Sequence, residues 1–208
     1  GAGQMAMLRR LPKILRYIPG KAQDLRAYFL TMQYWLSGSP ENIADMVRFL
    51  IGRYADGARR PLRDRITASL PRTYPDVGLY HPRVRGKIFE RVESLPSFSR
   101  RKGLVGLLVL RSYVLAGDAG HYDGVIDALE ARGFAVLPAF ASGLDARPAI
   151  EKYFLRDGQP VVDAVVSLTG FSLVGGPAYN DAAAAEEILA RLDLPYISAQ
   201  PLEFQTLE

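Results

Sequence analysis

The sequence predicts an α/β protein: an N-terminal helical segment followed by a Rossmann-like or flavodoxin-like parallel four-stranded sheet. Between residues 104 and 200, apolar runs of strand length alternate with amphipathic stretches of helix length. Fully apolar strands of this kind belong to parallel sheets covered on both faces. Before residue 57 the apolar residues recur at three- to four-residue spacing, the period of a helix. Proline, glycine and arginine crowd the stretch between, which reads as a connector. The predicted organisation is a helical segment over 1–56, a connector over 57–103, and a parallel α/β domain over 104–208 truncated at its C-terminus.

In the helical segment, Leu8, Leu11, Leu15 and Ile18 form one stripe, with Arg9, Arg10, Lys13 and Arg16 largely off it. Pro12 is compatible only with the start of a helix, so this piece is expected to be short or kinked. Two readings of it are open, a helix packed on a neighbouring domain and a basic helix in peripheral contact with an anionic membrane. The next stretch places Leu25, Phe29, Met32 and Leu36 on one stripe and stops at Gly38. A third helix opens with Ser39 as N-cap and Pro40 in the first turn. Within the connector the sequence suggests only short helical pieces, such as Lys87 to Ser94.

From Leu104 the order is strand (LVGLLVLR), helix (HYDGVIDALEARG, with Gly133 ending it), strand (FAVLPAF), helix (ARPAIEKYFL), strand (VDAVVSL), helix (DAAAAEEILARLD) and strand (PYISA). Right-handed crossovers and the strand order 2-1-3-4 are expected.

The chain has no cysteine and two histidines, which excludes disulfides, thiolate metal sites and the usual zinc constellations. It fits a reducing compartment, and no run reaches the roughly 18 apolar residues that span a bilayer, so a cytoplasmic location is expected. Residues 1–100 carry 18 Lys+Arg against 8 Asp+Glu, and residues 101–208 carry 8 against 14. The basic excess has no nucleic-acid motif or aromatic platform to accompany it, so no nucleic-acid partner is expected. A first residue other than methionine, and a last one soon after a strand, suggest a piece of a longer protein.

Ligands of open parallel sheets bind beyond the carboxyl ends of the strands. The loop after the first strand gathers Arg111, Ser112, Asp118, His121 and Asp123. His121 beside Asp118 suits a general base or a metal ligand. Asp118 also suits a cap for the helix beginning near His121, which is the simpler reading of these residues. The loop after the third strand, from Thr169 to Pro177, is uncharged and glycine-rich, rimmed by Phe171, Leu173, Val174 and Tyr179. Such a loop allows close approach to a flat apolar ligand or to another domain. No phosphate loop, dinucleotide fingerprint or nucleophile elbow is present, so neither ATP hydrolysis nor a serine-triad mechanism is expected of this chain.

The segments GLYHP, VGLLVLRSYVLAGDAGHYDGVIDALEARGFAVLPAFASGLD, VDAVVSLTGFSLVGGPAYND and LDLPYISAQPLEFQTLE, in this order, resemble the large porphyrin-binding H-subunit family of magnesium chelatase. QYWLSGSPENIADMVRFLIGRY resembles the segment that precedes them there. The resemblance implies part of an enzyme that inserts Mg2+ into protoporphyrin IX in chlorophyll and bacteriochlorophyll synthesis, with metal and porphyrin as substrates and no resident cofactor. Its implied partners are the remaining domains of the same polypeptide, an AAA+ ATPase that hydrolyses ATP, and the companion of that ATPase. A plant or algal source would put it in the plastid stroma. The related large subunit of cobaltochelatase is the alternative, and a noncatalytic scaffold or small-ligand α/β module is a reading from another class. The candidate residues become His121 and Asp118 for catalysis, and Arg111, Tyr113, Thr169, Phe171, Gly175, Gly176 and Tyr179 for substrate binding. No residue is assigned to metal. The family commonly has a histidine where this chain has Tyr113, which leaves His121 as the histidine of its loop.

Overall fold

The computed structural model describes residues 2–96, 102–176 and 178–200. Pro177 of the glycine loop and the stretch from 201 onward, including most of the loop expected after the fourth strand, lie outside them, as does the side chain of Leu8. The chain forms two compact units, residues 1–74 with 115–117, and residues 75–114 with 118–208.

The first unit is helical. α1 (Ala2–Leu15), α2 (Ala22–Ser37) and α3 (Pro40–Tyr54) pack in sequence, followed by a 3-10 turn at Gly57–Leu62. Pro12 lies in the last turn of α1 rather than its start, and the helix ends three residues later. Gly38 closes α2 in the left-handed conformation, its N–H donating to Tyr34 O at 3.1 Å. The Ser39 hydroxyl then caps α3 by accepting from the Asn42 N–H at 3.2 Å, as expected. The buried face of α2 differs from the expected stripe: it is Ala27, Leu30 and Tyr34, while Leu25 and Leu36 are exposed. Tyr34 turns the helix this way, because its ring packs on Phe49 and its hydroxyl donates to Ser69 O. Asn42, also buried, donates to Arg72 O at 3.0 Å and accepts from Arg72 N at 2.8 Å, tying the extended chain after the 3-10 turn to α3.

The second unit is built on a mixed sheet. Two strands come from residues assigned by sequence to the connector, β1 (Val77–Tyr80) and β2 (Ile88–Phe89), which pair antiparallel with each other. Next come β3 (Leu104–Leu108) and β4 (Ala135–Ala141), then two small hairpins on either side of β7 (Ala164–Ser167), and last β10 (Tyr196–Ser198). The hairpins are β5 (Leu155–Arg156) with β6 (Gln159–Pro160), and β8 (Gly175–Gly176) with β9 (Tyr179–Asn180). The sheet order is β10-β7-β3-β4-β1-β2. Its parallel part, β4-β3-β7-β10, is the expected 2-1-3-4 arrangement. β1 runs antiparallel to β4. The stretch from Lys87 to Ser94 is therefore a strand followed by one 3-10 turn at Val92–Ser94, not a helix. β1 escapes a sequence reading because it is four residues long and set among prolines and arginines, while its stability comes from a partner about 60 residues away.

Alternate residues of β3 serve the two faces. Val105 and Leu107 join Val114, Tyr122 and Ile126 of α4 (Arg111–Ala116) and α5 (Gly120–Ala131) on one side. Leu108 joins the other core with α6 (Arg147–Ala149), its continuing π-helical turn Ile150–Phe154, and Ile188 and Leu192 of α7 (Ala182–Leu192). Gly106 faces that side, where a Cβ would stand 2.7 Å from the Phe154 ring, so glycine makes the room the ring occupies. Pro138 is tolerated inside β4 because the ladder with β1 ends at the pair of Leu79 with Ala139, one residue short of the proline.

Candidate functional site at the sheet switch point

From β3 the chain crosses to β4 on one side and later returns to β7 on the other, so β3 and β7 flank the point where the winding reverses. Crevices at such points are the usual ligand sites of open parallel sheets. Here the loops after β3 and β7 enclose an open cleft of about 720 Å3, within the range of small-molecule sites. Leu110, Leu168, Phe171 and the ring of Tyr122 form its apolar part; Tyr113, Asp118, His121, Thr169, Gly170 and Gln200 supply the rest.

The side chains are held from below. Tyr122 is fully buried and its hydroxyl accepts from the Leu110 N–H at 3.1 Å, fixing the start of α5 to the end of β3. Burial raises the pKa of that phenol, which keeps it neutral. The His121 ring lies 3.8 Å from the Tyr122 ring, and Tyr113 meets it edge-on at 5.5 Å. His121 itself is exposed in the first turn of α5. The Asp118 N–H donates to Tyr113 O at 3.0 Å, closing the turn through Gly117, whose φ is +77°. Asp118 does not cap α5: the N-cap position is Ala119, with no side-chain cap bond. No hydrogen bond joins Asp118 to His121 among the described residues; the two share the cleft wall. Across from them, the Thr169 hydroxyl lies 3.0 Å from that of Ser167, which is buried.

The cleft thus gathers five of the residues singled out by sequence, Tyr113, Asp118, His121, Thr169 and Phe171. Arg111, Gly175, Gly176 and Tyr179 are not among its lining residues. The Arg111 Nε donates to Pro75 O at 2.8 Å, bracing the entry to β1. The two glycines have an internal reason to be glycine. Gly175 has φ +113°, and a side chain there would run into the Tyr179 carbonyl; one on Gly176 would run into Leu144. Gly175 N donates to Leu144 O at 2.9 Å, and Asp145 bridges Val174, so this loop packs on the segment after β4. Among the described residues there is no group of three or more His, Asp or Glu arranged to hold a metal ion, and no helix is long and apolar enough to cross a membrane.

A network that supports α5 lies beyond what the sequence reading found. His81, fully buried, faces Glu130 with Nε2 3.1 Å from Oε1, and its Nδ1 accepts from the Arg83 N–H at 3.3 Å. These partners fit the neutral imidazole with the proton on Nε2. Burial, then the Arg83 guanidinium, lowers the His81 pKa to about 4 against the upward pull of Asp127 and Asp123. Arg83 also pairs with Glu130 and, at 2.7 Å, with Asp127. Tyr80 donates to Asp123 at 2.6 Å, and burial keeps its phenol protonated far above neutrality. The signal is present as Tyr80-His81 on one side and acids at 123, 127 and 130 on one helical face, but the spacing that joins them is 43 to 49 residues.

Fold and cleft define a doubly wound α/β unit with a ligand-sized crevice at its switch point; the chain also carries a helical unit. The sequence model of CobN/Magnesium Chelatase matches residues 32–208, and a domain of unknown function (DUF3479) matches residues 1–29. The chain belongs to the CobN/magnesium chelatase family. It is 59% identical over its whole length to the magnesium-chelatase H subunit of Cereibacter sphaeroides, and 39% identical over 98% of its length to the chloroplastic magnesium-chelatase subunit ChlH of Oryza sativa subsp. indica. It spans 17% and 16% of those relatives. The catalytic subunit of cobaltochelatase from Mycobacterium tuberculosis shares the fold, with a TM-score of 0.54 and 21% identity over 85% of this chain and 13% of that one.

Proposed function

We propose that the chain is part of the porphyrin-handling subunit of a magnesium chelatase, and that the cleft between the β3 and β7 loops faces the tetrapyrrole. The observation that carries the reading is the 59% identity, sustained over all of this chain, to a protein named as the H subunit of that enzyme. The cobaltochelatase alternative is supported by the shared CobN/Magnesium Chelatase sequence model and is the weaker of the two, because the high-identity relatives carry the magnesium-chelatase name. Protoporphyrin IX and Mg2+ are then the substrates, and ATP is hydrolysed by a separate subunit acting with its companion.

Insertion of Mg2+ requires the two pyrrole N–H protons to leave. An imidazole is suited to take a proton near neutral pH, and His121 offers one at the cleft wall, its ring oriented by Tyr122 and Tyr113. Mg2+ prefers oxygen ligands and releases water slowly, so the Asp118 carboxylate suits a transient stop for the hydrated ion better than His121 does. Phe171 and Leu168 give the apolar surface that a macrocycle would cover. Replacing the corresponding segment of the Cereibacter sphaeroides protein by this chain tests the reading: Mg2+ insertion with the companion subunits and ATP is expected to persist. A folded, porphyrin-binding chimera that inserts Co2+ but not Mg2+ would transfer the assignment to cobaltochelatase.

A further inference from the structure

The helical unit contains a second cavity, of about 510 Å3, between α1, α2 and the extended chain near residue 70. Leu30, Leu70 and Pro71 give it apolar walls, and Lys13, Arg16 and Arg26 bring three cations to it. Among the described residues no carboxylate lines it. None of the three cations is ion-paired among the described residues: Arg26 donates its Nε to Pro12 O at 3.2 Å, and the nearby helix acid Asp24 is taken by Arg53 at 2.9 Å. Three like charges beside one another repel, and the arrangement is relieved by an anion. An apolar cavity with a few converging polar groups is the form of a small-molecule site.

We propose that this cavity binds an apolar carboxylate, its body against Leu30, Leu70 and Pro71 and its anionic group against Lys13, Arg16 and Arg26. An inorganic anion would leave the apolar walls unfilled, and an uncharged apolar molecule would forgo the attraction of the three cations. The site is independent of the cleft at the sheet switch point and of the chelatase reading.

The test uses the 208-residue chain with 1-pyrenebutyrate, a fluorescent flat carboxylate, and 1-pyrenebutanol, which has the same body without the charge. Saturable binding of the carboxylate is expected, with the alcohol weaker by roughly 10-fold or more, the scale of a charge-assisted hydrogen bond. Lys13→Glu/Arg16→Glu is expected to weaken the carboxylate by at least the same factor without changing the helical circular dichroism, because both side chains are exposed. Equal affinity for acid and alcohol, undiminished binding by the double variant, or no saturable binding overturns the proposal.

Discussion

His81 of the segment after β1 and Glu130 of α5 meet at 3.1 Å although 49 residues separate them, and both side chains are nearly or fully out of solvent. The contact fastens the antiparallel edge of the sheet to the helix whose first turn presents His121.

Protonation of His81 is expected to loosen that edge. Its folded pKa of about 4 lies below the ordinary 6.5, so between those values the unfolded chain holds a proton that the folded chain does not. Stability is complete above pH ~6.5 and falls as pH drops toward 4, by up to about 3 kcal/mol. Denaturant unfolding at several pH values measures the slope, and His81→Gln should flatten it in that window. An unchanged slope in a folded variant would assign the acid sensitivity to other groups.

Asn42→Leu should destabilise the helical unit by about 2–3 kcal/mol, since it leaves both the Arg72 N–H and C=O without the partners they have at 2.8 and 3.0 Å. Ser39→Ala removes only the cap and should cost about 1 kcal/mol. Urea midpoints of the two variants give the comparison, and a reversed order contradicts the weight placed on the Asn42 clamp.

Gly106→Ala should destabilise the sheet unit by about 1–3 kcal/mol, because the new methyl group meets the Phe154 ring. The second change Phe154→Leu should recover part of the loss. A neutral single variant means that the ring can move aside.

His121→Ala, made within the Cereibacter sphaeroides chimera, is expected to lower the chelation rate roughly 100-fold, the lower end of general acid-base contributions. Porphyrin affinity should change little. The exposed position keeps the substitution from disturbing the core, and circular dichroism checks it. Full activity would reduce His121 to a ring packed on Tyr122.

How much of the fold a sequence reading reaches follows from where the stabilising information lies. β3, β4, β7 and β10 are marked by their own apolar runs, and 2-1-3-4 is one of the common orders of doubly wound sheets, so the arrangement is legible. β1 owes its strand form to the distant β4, β2 pairs with β1, and both are too short to carry a local mark. The rotation of α2 is misread for a related reason: Leu25, Phe29, Met32 and Leu36 have helical spacing, but Tyr34 and Ala27 face the neighbours. At the cleft, the rule for strand ends locates the loops, whereas the glycines at 175 and 176 carry the same letters whether they admit a ligand or, as here, the Tyr179 carbonyl and Leu144.

The antiparallel pairing of β1 with β4 also sets a schedule for synthesis. Val77 pairs with Ala141, so a chain emerging from the ribosome N-terminus first must hold Leu79 and Tyr80 in waiting while roughly 60 residues are added. Non-local pairings of this kind form late and leave apolar surface open in the interval. In the helical unit the corresponding waits are shorter, from Tyr34 to Ser69 and from Asn42 to Arg72. During translation α2 and α3 can therefore pair before the sheet begins, β1 waits for β4, and β7 and β10 join the sheet later still.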